Sequence, residues 1–205
     1  MTPLTVSIIR IFLPCYFLFY LMILYYFNIN SFKKKYKIDP EVVKTGDTVM
    51  YYLQVFRNFI FFLVLICILI FSIFPGLYFI LAPVNYLEIE VTQYFGMLLM
   101  VISMIITRKA QIQLKTSWRI GIDRSNTKTE LITDGLYSIS RNPIALSMLS
   151  TVLGLFLVLP NALSFAILFL VYLIFSVRIR MEEEHLLKQH GQHYKEYQQK
   201  TRRWL

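Results

Sequence analysis

The sequence has few charged residues for its length, and those it has are grouped. Charged side chains make up 16% of its 205 residues, and hydrophobic side chains make up 57%. Soluble domains are about a quarter charged and about half apolar. Here the grouping leaves long neutral runs, and a helix needs roughly 20 apolar residues to cross about 30 Å of hydrocarbon. The composition therefore indicates an integral membrane protein.

Cysteine is also scarce, and recognisable catalytic patterns are missing. Cys15 and Cys67 lie inside apolar runs, so they indicate packing residues and neither a disulfide framework nor a metal site. No glycine-rich phosphate loop and no nucleophile paired with a base is visible. His185, His190 and His193 lie in a polar C-terminal segment at spacings of five and three, and the first spacing is out of phase on a helix. We interpret them as solvated side chains and expect no metal.

The formal charge of +9 does not indicate a nucleic-acid partner, because the basic residues flank the apolar runs. Every basic residue except Arg10 falls in one of three alternate segments, 28–58, 108–141 and 178–203. The intervening segment, 82–93, has Glu88 and Glu90 and no basic residue. Since cytoplasmic loops are rich in Lys and Arg, we predict that the N-terminus lies outside and the C-terminus in the cytoplasm.

Five apolar runs predict an all-α membrane fold with about five transmembrane helices, at residues 4–27, 59–81, 94–107, 144–159 and 162–177. The second is expected to kink at Pro75-Gly76 near its end, and the third to continue as helix beyond the membrane. Only Pro160-Asn161 separates the last two runs, which predicts a tight antiparallel hairpin. A cytoplasmic helical cap, broken near Gly191, follows.

Three polar groupings on the predicted cytoplasmic side each have a simple structural interpretation. Trp118 is typical of an anchor at the membrane interface. Asn142-Pro143 is typical of a helix start, with Asn142 as the cap. Arg178 and Glu182, at i and i+4, are consistent with a surface ion pair worth a few tenths of a kcal/mol.

The predicted hairpin changes this interpretation, because it brings Asn142 and Arg178 to the same membrane face. Glu182 then shares one side of the emerging helix with Arg178, and Tyr137 lies in the same region. Charged groups at that depth are costly unless they are paired or functional. A polar cofactor could therefore meet a lipid-soluble substrate here.

The segments TELITDGLYSISRNP and RIRMEEEHLLKQHGQHYKEYQQ, together with the hairpin between them, resemble the isoprenylcysteine carboxyl methyltransferase and phospholipid methyltransferase superfamily. The resemblance covers about residues 117–205, and SWRIGID looks like the bacterial branch. The matching positions are Gly135, Tyr137, Arg141, Asn142, Pro143, Arg178, Glu182, Glu183, Leu186, Gly191, Tyr194 and Tyr197.

The resemblance implies a methyltransferase that uses S-adenosyl-L-methionine in one membrane domain. Residues 1–107 would form three N-terminal transmembrane helices, and residues 108–205 the methyltransferase core with its cofactor pocket. Arg178 would orient the acceptor, as the catalytic residue. The cofactor would contact Thr129, Glu130, Leu131, Ile132, Tyr137, Asn142, Pro143, Ile144, Ala145 and Glu182.

Two positions depart from the pattern of the superfamily. Many members have histidine at the position of Asn142 and an aromatic residue at that of Ala145. A wider pocket or a less tightly held cofactor would follow. Neither change removes a group that methyl transfer requires.

The sequence leaves alternatives for the methyl acceptor and for the activity itself. A carboxylate acceptor needs only an arginine to position it, whereas an amine must lose a proton and no buried base is obvious. This favours an isoprenylcysteine-like carboxylate, or a thiolate, over phosphatidylethanolamine. A non-catalytic membrane component would tolerate changes at Asn142 and Glu182, and a sterol-type reductase would need a nicotinamide-binding segment. We expect a bacterial inner membrane location, although an endoplasmic reticulum protein would have the same charge pattern.

Overall fold

The computed structural model describes residues 2–22, 28–37, 48–118 and 130–205 of the chain. The end of the first predicted run, at residues 23–27, and most of the SWRIGID segment, at residues 119–123, lie outside them. The described helices are α1 Pro3–Tyr20, α2 Asn28–Tyr36, α3 Thr48–Ser72, α4 Glu90–Gln113, α5 Leu136–Ile139, α6 Pro143–Val158, α7 Ala162–His190 and α8 Gln192–Lys200. Short 3-10 helices lie at Pro75–Leu81, Asn85–Leu87 and Lys115–Ser117.

The protein is an all-α integral membrane protein, as predicted. Among the described helices, α1, α3, α4 and α7 are long and apolar enough to cross a membrane. The fifth apolar helix, α6, is shorter, with 16 residues. The predicted hairpin is confirmed, because α6 ends at Val158, α7 begins at Ala162 and the two helices pack against each other.

The turn of the hairpin is held by a capping box. The Asn161 side chain accepts a hydrogen bond from the Ser164 backbone N–H at 2.9 Å, and the Ser164 hydroxyl accepts one from the Asn161 N–H at 3.2 Å. These two bonds satisfy backbone donors that a helix start leaves without partners. Both side chains are fully buried, so the turn is well fixed.

The prediction of one kinked helix over residues 59–81 is wrong. Helix α3 begins earlier, at Thr48, and ends at Ser72, and a 3-10 helix follows over Pro75–Leu81. The reason is Pro75, which has no backbone N–H and whose ring clashes with the preceding helical turn. The 3-10 helix ends at Ala82, whose backbone is left-handed, with φ 50°.

The third and fifth helices extend beyond their predicted runs. Helix α4 begins at Glu90 and continues to Gln113, which confirms the expected helix past residue 107. Helix α7 continues through the charged segment to His190, so the helix expected there is confirmed and is continuous with the span. The predicted break at Gly191 is confirmed, because its φ of 56° favours glycine.

Helices α4 and α6 form the largest interface between the described helices, and two glycines allow it. A Cβ at Gly154 would lie 2.6 Å from Cγ of Met100 and 2.8 Å from the Gly96 carbonyl oxygen. The backbones therefore approach closely, as small residues permit in membrane helices. The hydroxyls of Thr107 and Ser147 also form a hydrogen bond across this interface, at 2.7 Å. Helices α1 and α3 complete the core around α4 and α6.

Candidate functional site

One cavity of about 390 Å³ lies at the end of the bundle where α1 and α4 end and α3 and α6 begin. We call this the site end. Its volume is within the range of about 300–1,000 Å³ that is usual for small-molecule pockets. Its lining includes the following predicted site residues: Glu130, Leu131, Ile132, Tyr137, Asn142, Pro143, Ile144, Ala145, Arg178 and Glu182. Thr129 lies outside the described residues, and the roles of the others stay predictions.

Arg178 and Glu182 lie one turn apart on α7, and both line the cavity. Arg178 is half-buried and Glu182 is exposed. Neither side chain forms a hydrogen bond or ion pair with another residue of the described ranges, so the surface ion pair considered above is not formed there. Arg178 and Glu182 thus give the cavity a cationic and an anionic group that a ligand can engage.

The chain from Glu130 to Ile132 has no regular secondary structure and forms a second part of the wall. The Ser117 hydroxyl donates to the Glu130 carbonyl oxygen at 2.9 Å and ties this segment to the end of α4. Within the described chain, the backbone N–H groups of Leu131 and Ile132 have no hydrogen-bond acceptor. This segment can therefore offer peptide donors and acceptors to a ligand.

Tyr137 is buried beside the cavity and is held at both its polar groups. Its hydroxyl donates to the Ala110 carbonyl oxygen at 3.4 Å, and its own carbonyl oxygen accepts from the Tyr197 hydroxyl at 2.6 Å. Burial, and then the nearby Glu182 carboxylate, raise the pKa of Tyr137 well above its usual range. The phenol therefore stays neutral and keeps its donor at physiological pH.

The structure explains why residue 135, one of the positions that match the superfamily, is glycine. Its φ is 59°, and a Cβ there would lie 2.1 Å from Nε2 of Gln113. The Gln113 side-chain oxygen accepts from the Leu136 N–H at 3.1 Å, so this glutamine fixes the start of α5. A side chain at residue 135 would displace it, and with it the helix that positions Tyr137.

A buried ion cluster that sequence reasoning missed supports the cavity wall. Glu183 accepts from Arg141 Nη2 at 2.8 Å and from Arg203 Nη2 at 2.6 Å. The side chains of Glu183 and Arg141 are only 7% and 10% exposed, whereas that of Arg203 is 40% exposed. The resemblance gave Arg141 and Glu183 as motif positions without a role, and Arg203 was counted only among basic residues that set topology.

The residues around Arg203 also fasten the start of α6. The Arg141 N–H donates to the Arg202 carbonyl oxygen at 2.9 Å, and Asn142 Nδ2 donates to the Arg203 carbonyl oxygen at 3.1 Å. Asn142 does precede α6 and Pro143 is its first residue, as predicted, but the Asn142 side chain forms no capping hydrogen bond. Its amide instead holds the C-terminal segment against the cavity wall.

The cavity continues from these polar groups into an apolar region between α1 and α3. Its apolar lining there consists of Tyr16, Phe17, Tyr20, Leu53, Ile60, Phe61, Val64 and Ile68. Gln54 and Arg57 of α3 add two polar groups near the site end. Residues on both sides of the predicted division after residue 107 therefore line one cavity.

Trp118 is not a simple interface anchor. It is buried, packs edge-on against Phe32 of α2 at 5.3 Å between ring centroids, and also lines the cavity. Ile29 completes this small cluster, and Ile144 at the start of α6 packs against it. Helix α2 thus contributes to the site by supporting Trp118.

The donor set of the cavity fits S-adenosylmethionine better than a metal. In the described ranges, no three His, Cys, Asp or Glu side chains are grouped as metal ligands. Glu182 can accept from an ammonium group, and the backbone of the segment at Leu131 can accept and donate toward a base or a ribose. Glu130 adds a second carboxylate, which suits a cofactor with two positive charges.

Residues 91–193, just over half of the chain, match the family model described as phospholipid methyltransferase. The match runs from the start of α4 through α7 to the start of α8, so it includes the hairpin and most of the cavity wall at the site end. No individual curated protein matches the chain.

Proposed function

The chain belongs to the phospholipid methyltransferase family, and from this we propose that it transfers a methyl group from S-adenosylmethionine to a lipid-soluble acceptor at the membrane surface. Membership of the family makes the chain a membrane methyltransferase that acts on lipids. The observation that carries the finer proposal is the cavity, in which polar groups at the site end are continuous with an apolar region between α1 and α3. One space can thus receive a polar cofactor and the apolar chain of an acceptor.

Glu182 is proposed to hold the ammonium group of the cofactor, and the backbone at Glu130, Leu131 and Ile132 to contact its nucleoside part. Tyr137 would support this wall as a neutral donor. When bound, S-adenosylmethionine would supply a methyl group on a positively charged sulfur, which is the leaving group when an acceptor bonds to the methyl carbon in line. Alignment of donor and acceptor can provide about 7–11 kcal/mol of the barrier, so the main task of these side chains is to position.

Arg178 is proposed to orient the acceptor, because its guanidinium faces the cavity without a partner among the described residues. A planar guanidinium matches a carboxylate or a phosphate through two parallel hydrogen bonds. A carboxylate acceptor held by Arg178 would bring its own electron pair to the methyl carbon, and the sulfur of the cofactor would keep the pair of the broken carbon–sulfur bond. No proton moves, so no base is needed.

The family description favours a second candidate, N-methylation of phosphatidylethanolamine. In that reaction Arg178 would hold the lipid phosphate, and the amine would lose a proton to water before it forms the bond to carbon. Glu183 is poorly suited as a base, because two arginines already bind its carboxylate. The carboxylate acceptor stays the first candidate for this reason.

In the proposed orientation, the protein lies in a bacterial inner membrane and the site end faces the cytoplasm. It rests on the basic residues, which cluster in the segments that connect helices at this end. Cytosolic S-adenosylmethionine would then reach Glu182 from water, while the acceptor would enter from the bilayer.

The first experiment measures binding of S-adenosylmethionine and of its demethylated product to protein in nanodiscs, by calorimetry. Glu182→Gln is expected to weaken binding at least tenfold. Glu184→Gln is the matched control, since Glu184 is exposed on the same helix and does not line the cavity. Equal binding in both variants would refute the role of Glu182. If the wild type binds neither compound, the chain is a non-catalytic member of its family.

The second experiment follows transfer of a labelled methyl group to a prenylated cysteine and to phosphatidylethanolamine. Arg178→Gln is expected to abolish transfer to the preferred acceptor while cofactor binding persists. Arg180→Gln is the control, because Arg180 is exposed about half a helical turn from Arg178 and does not line the cavity. Unchanged transfer by Arg178→Gln would exclude this residue from acceptor binding.

A further inference from the structure

A second cavity, of about 330 Å³, lies at the end of the bundle opposite the site end. It is formed by the first half of α1, the end of α3 and the segment that leads into α4. Its lining is Val6, Arg10, Phe71, Pro75, Tyr78, Pro83, Asn85 and Glu88. None of these residues lines the first cavity, so the two cavities have separate walls.

Arg10 is the exceptional basic residue of the sequence, since it lies within an apolar helix and outside the three basic segments. It is seven residues along α1 from Pro3, which corresponds to about 10 Å at a rise of 1.5 Å per residue. Its Nε is buried and has no hydrogen-bond partner in the part of the chain that the structure describes. A charge at such depth is costly unless another group compensates it, and it marks a candidate binding site.

Glu88 brings the opposite charge to the same cavity. No residue of the described ranges forms an ion pair with Arg10 or with Glu88, although both face this space. The Glu88 side chain is half-buried, and this burial raises the pKa of its carboxyl. A ligand with an anionic and a cationic group would satisfy both side chains at once.

The frame of the cavity is fixed by hydrogen bonds to the turn of the hairpin. The Val84 N–H donates to the Pro160 carbonyl oxygen at 2.8 Å, and the Ala162 N–H donates to the Ala82 carbonyl oxygen at 3.2 Å. Tyr78 packs edge-on against Phe71, with ring centroids 5.2 Å apart, and its hydroxyl is buried. The site is thus built on a backbone that hydrogen bonds hold in place.

The side chains next in the chain to the lining residues Pro75 and Tyr78 are apolar. Those of Ile73, Phe74, Leu77, Phe79 and Ile80 are all exposed. In a membrane, such side chains contact acyl chains, whereas a soluble anion has no apolar part to contact them. They distinguish a lipid from a soluble phosphate ester of the same charge.

We propose that this cavity binds the headgroup of a zwitterionic phospholipid. Arg10 donates to the phosphate, Glu88 accepts from the ammonium group, and the exposed apolar side chains contact the acyl chains. The lipid is a resident of the opposite end of the bundle and is not the methyl acceptor. The inference is independent of the proposed cofactor and acceptor.

The test is native mass spectrometry of protein released from membranes that contain equal amounts of phosphatidylethanolamine and phosphatidylglycerol. The wild type is expected to retain one phosphatidylethanolamine, and Arg10→Gln at least tenfold less of it. Glu88→Gln is expected to remove the preference between the two lipids. Arg180→Gln, at the other end of the protein, should retain lipid like the wild type.

Soluble phosphoethanolamine separates the two sources of this headgroup. Phosphoethanolamine should leave the melting temperature of the delipidated protein unchanged. The lipid should raise that temperature at the same concentrations. Equal stabilisation by both compounds, or equal lipid retention by Arg10→Gln and the wild type, would overturn the proposal. If Arg10→Gln does not fold, Arg10→Lys and Glu88→Gln decide. The lysine variant should keep the lipid, and loss of preference in the glutamine variant is still required.

Discussion

Replacement of Glu183 by glutamine should destabilise the protein far more than the same change at its neighbour Glu182. Glu183 and Arg141 are both nearly buried, so the change leaves the Arg141 guanidinium without its counter-charge. Breaking a buried pair by removing one partner costs about 3–5 kcal/mol. Arg141 also donates to the carbonyl oxygens of Gln198 and Thr201, which remain. We therefore expect the lower end of the range, about 3 kcal/mol.

For a chain of this size, about 3 kcal/mol corresponds to a melting temperature about 6–12 °C lower. The measurement is thermal unfolding in one detergent, followed by circular dichroism. Glu182→Gln is the matched control, because Glu182 is exposed and a surface change stays within about 0.5 kcal/mol. Arg203→Gln should fall between them, since Arg203 is 40% exposed and exposed pairs are worth about 1 kcal/mol or less. Equal melting temperatures for the Glu183 and Glu182 variants would refute the reasoning.

Three further outcomes follow from the packing. Gly154→Ala should lower the free energy of unfolding by about 1–3 kcal/mol, because it overpacks the α4–α6 contact. Gly76→Ala is the control and should lower it far less, because a Cβ there meets no described atom within 4 Å. The melting temperatures of the two variants test this. Tyr197→Phe should cost about 1 kcal/mol for the lost bond to Tyr137, and unchanged melting would contradict it. Burial raises the pKa of Tyr197 to about 12, so the unfolded chain ionises it first. Stability should therefore fall as pH rises from about 10 to about 12, and less steeply in Tyr197→Phe.

The sequence was sufficient to predict the helices whose ends have a local signal. Asn142-Pro143 begins α6, Pro160-Asn161 joins the hairpin, and Gly191 ends α7. The second apolar run misled because its composition stays apolar through Pro75 and beyond, while the backbone does not stay helical. Hydrophobicity reports burial in lipid, whereas the hydrogen bonding of the backbone decides where a helix ends.

The same difference holds for the site. The residues of the resemblance could be placed on one face because they flank a hairpin whose geometry is set by its short turn. The ion pair between Arg203 and Glu183 joins two segments that are far apart in the chain. The same holds for the part of the cavity lining that α1 and α3 contribute. No local pattern encodes such contacts, so Arg203 looks like any other basic residue of its segment.

The unbroken course of α7 fixes the depth of Arg178 and Glu182, the proposed binding residues, relative to the thickness of the bilayer. Arg178 lies sixteen residues beyond Ala162, about 24 Å along the helix, and α6 with its 16 residues has about the same length. Both are shorter than about 30 Å of hydrocarbon, so the bilayer must thin around the hairpin or cover its polar end. Because α7 has no hinge between span and site, Arg178 and Glu182 cannot adjust their depth separately. Turnover should therefore be faster in membranes of short-chain lipids than in thick ones.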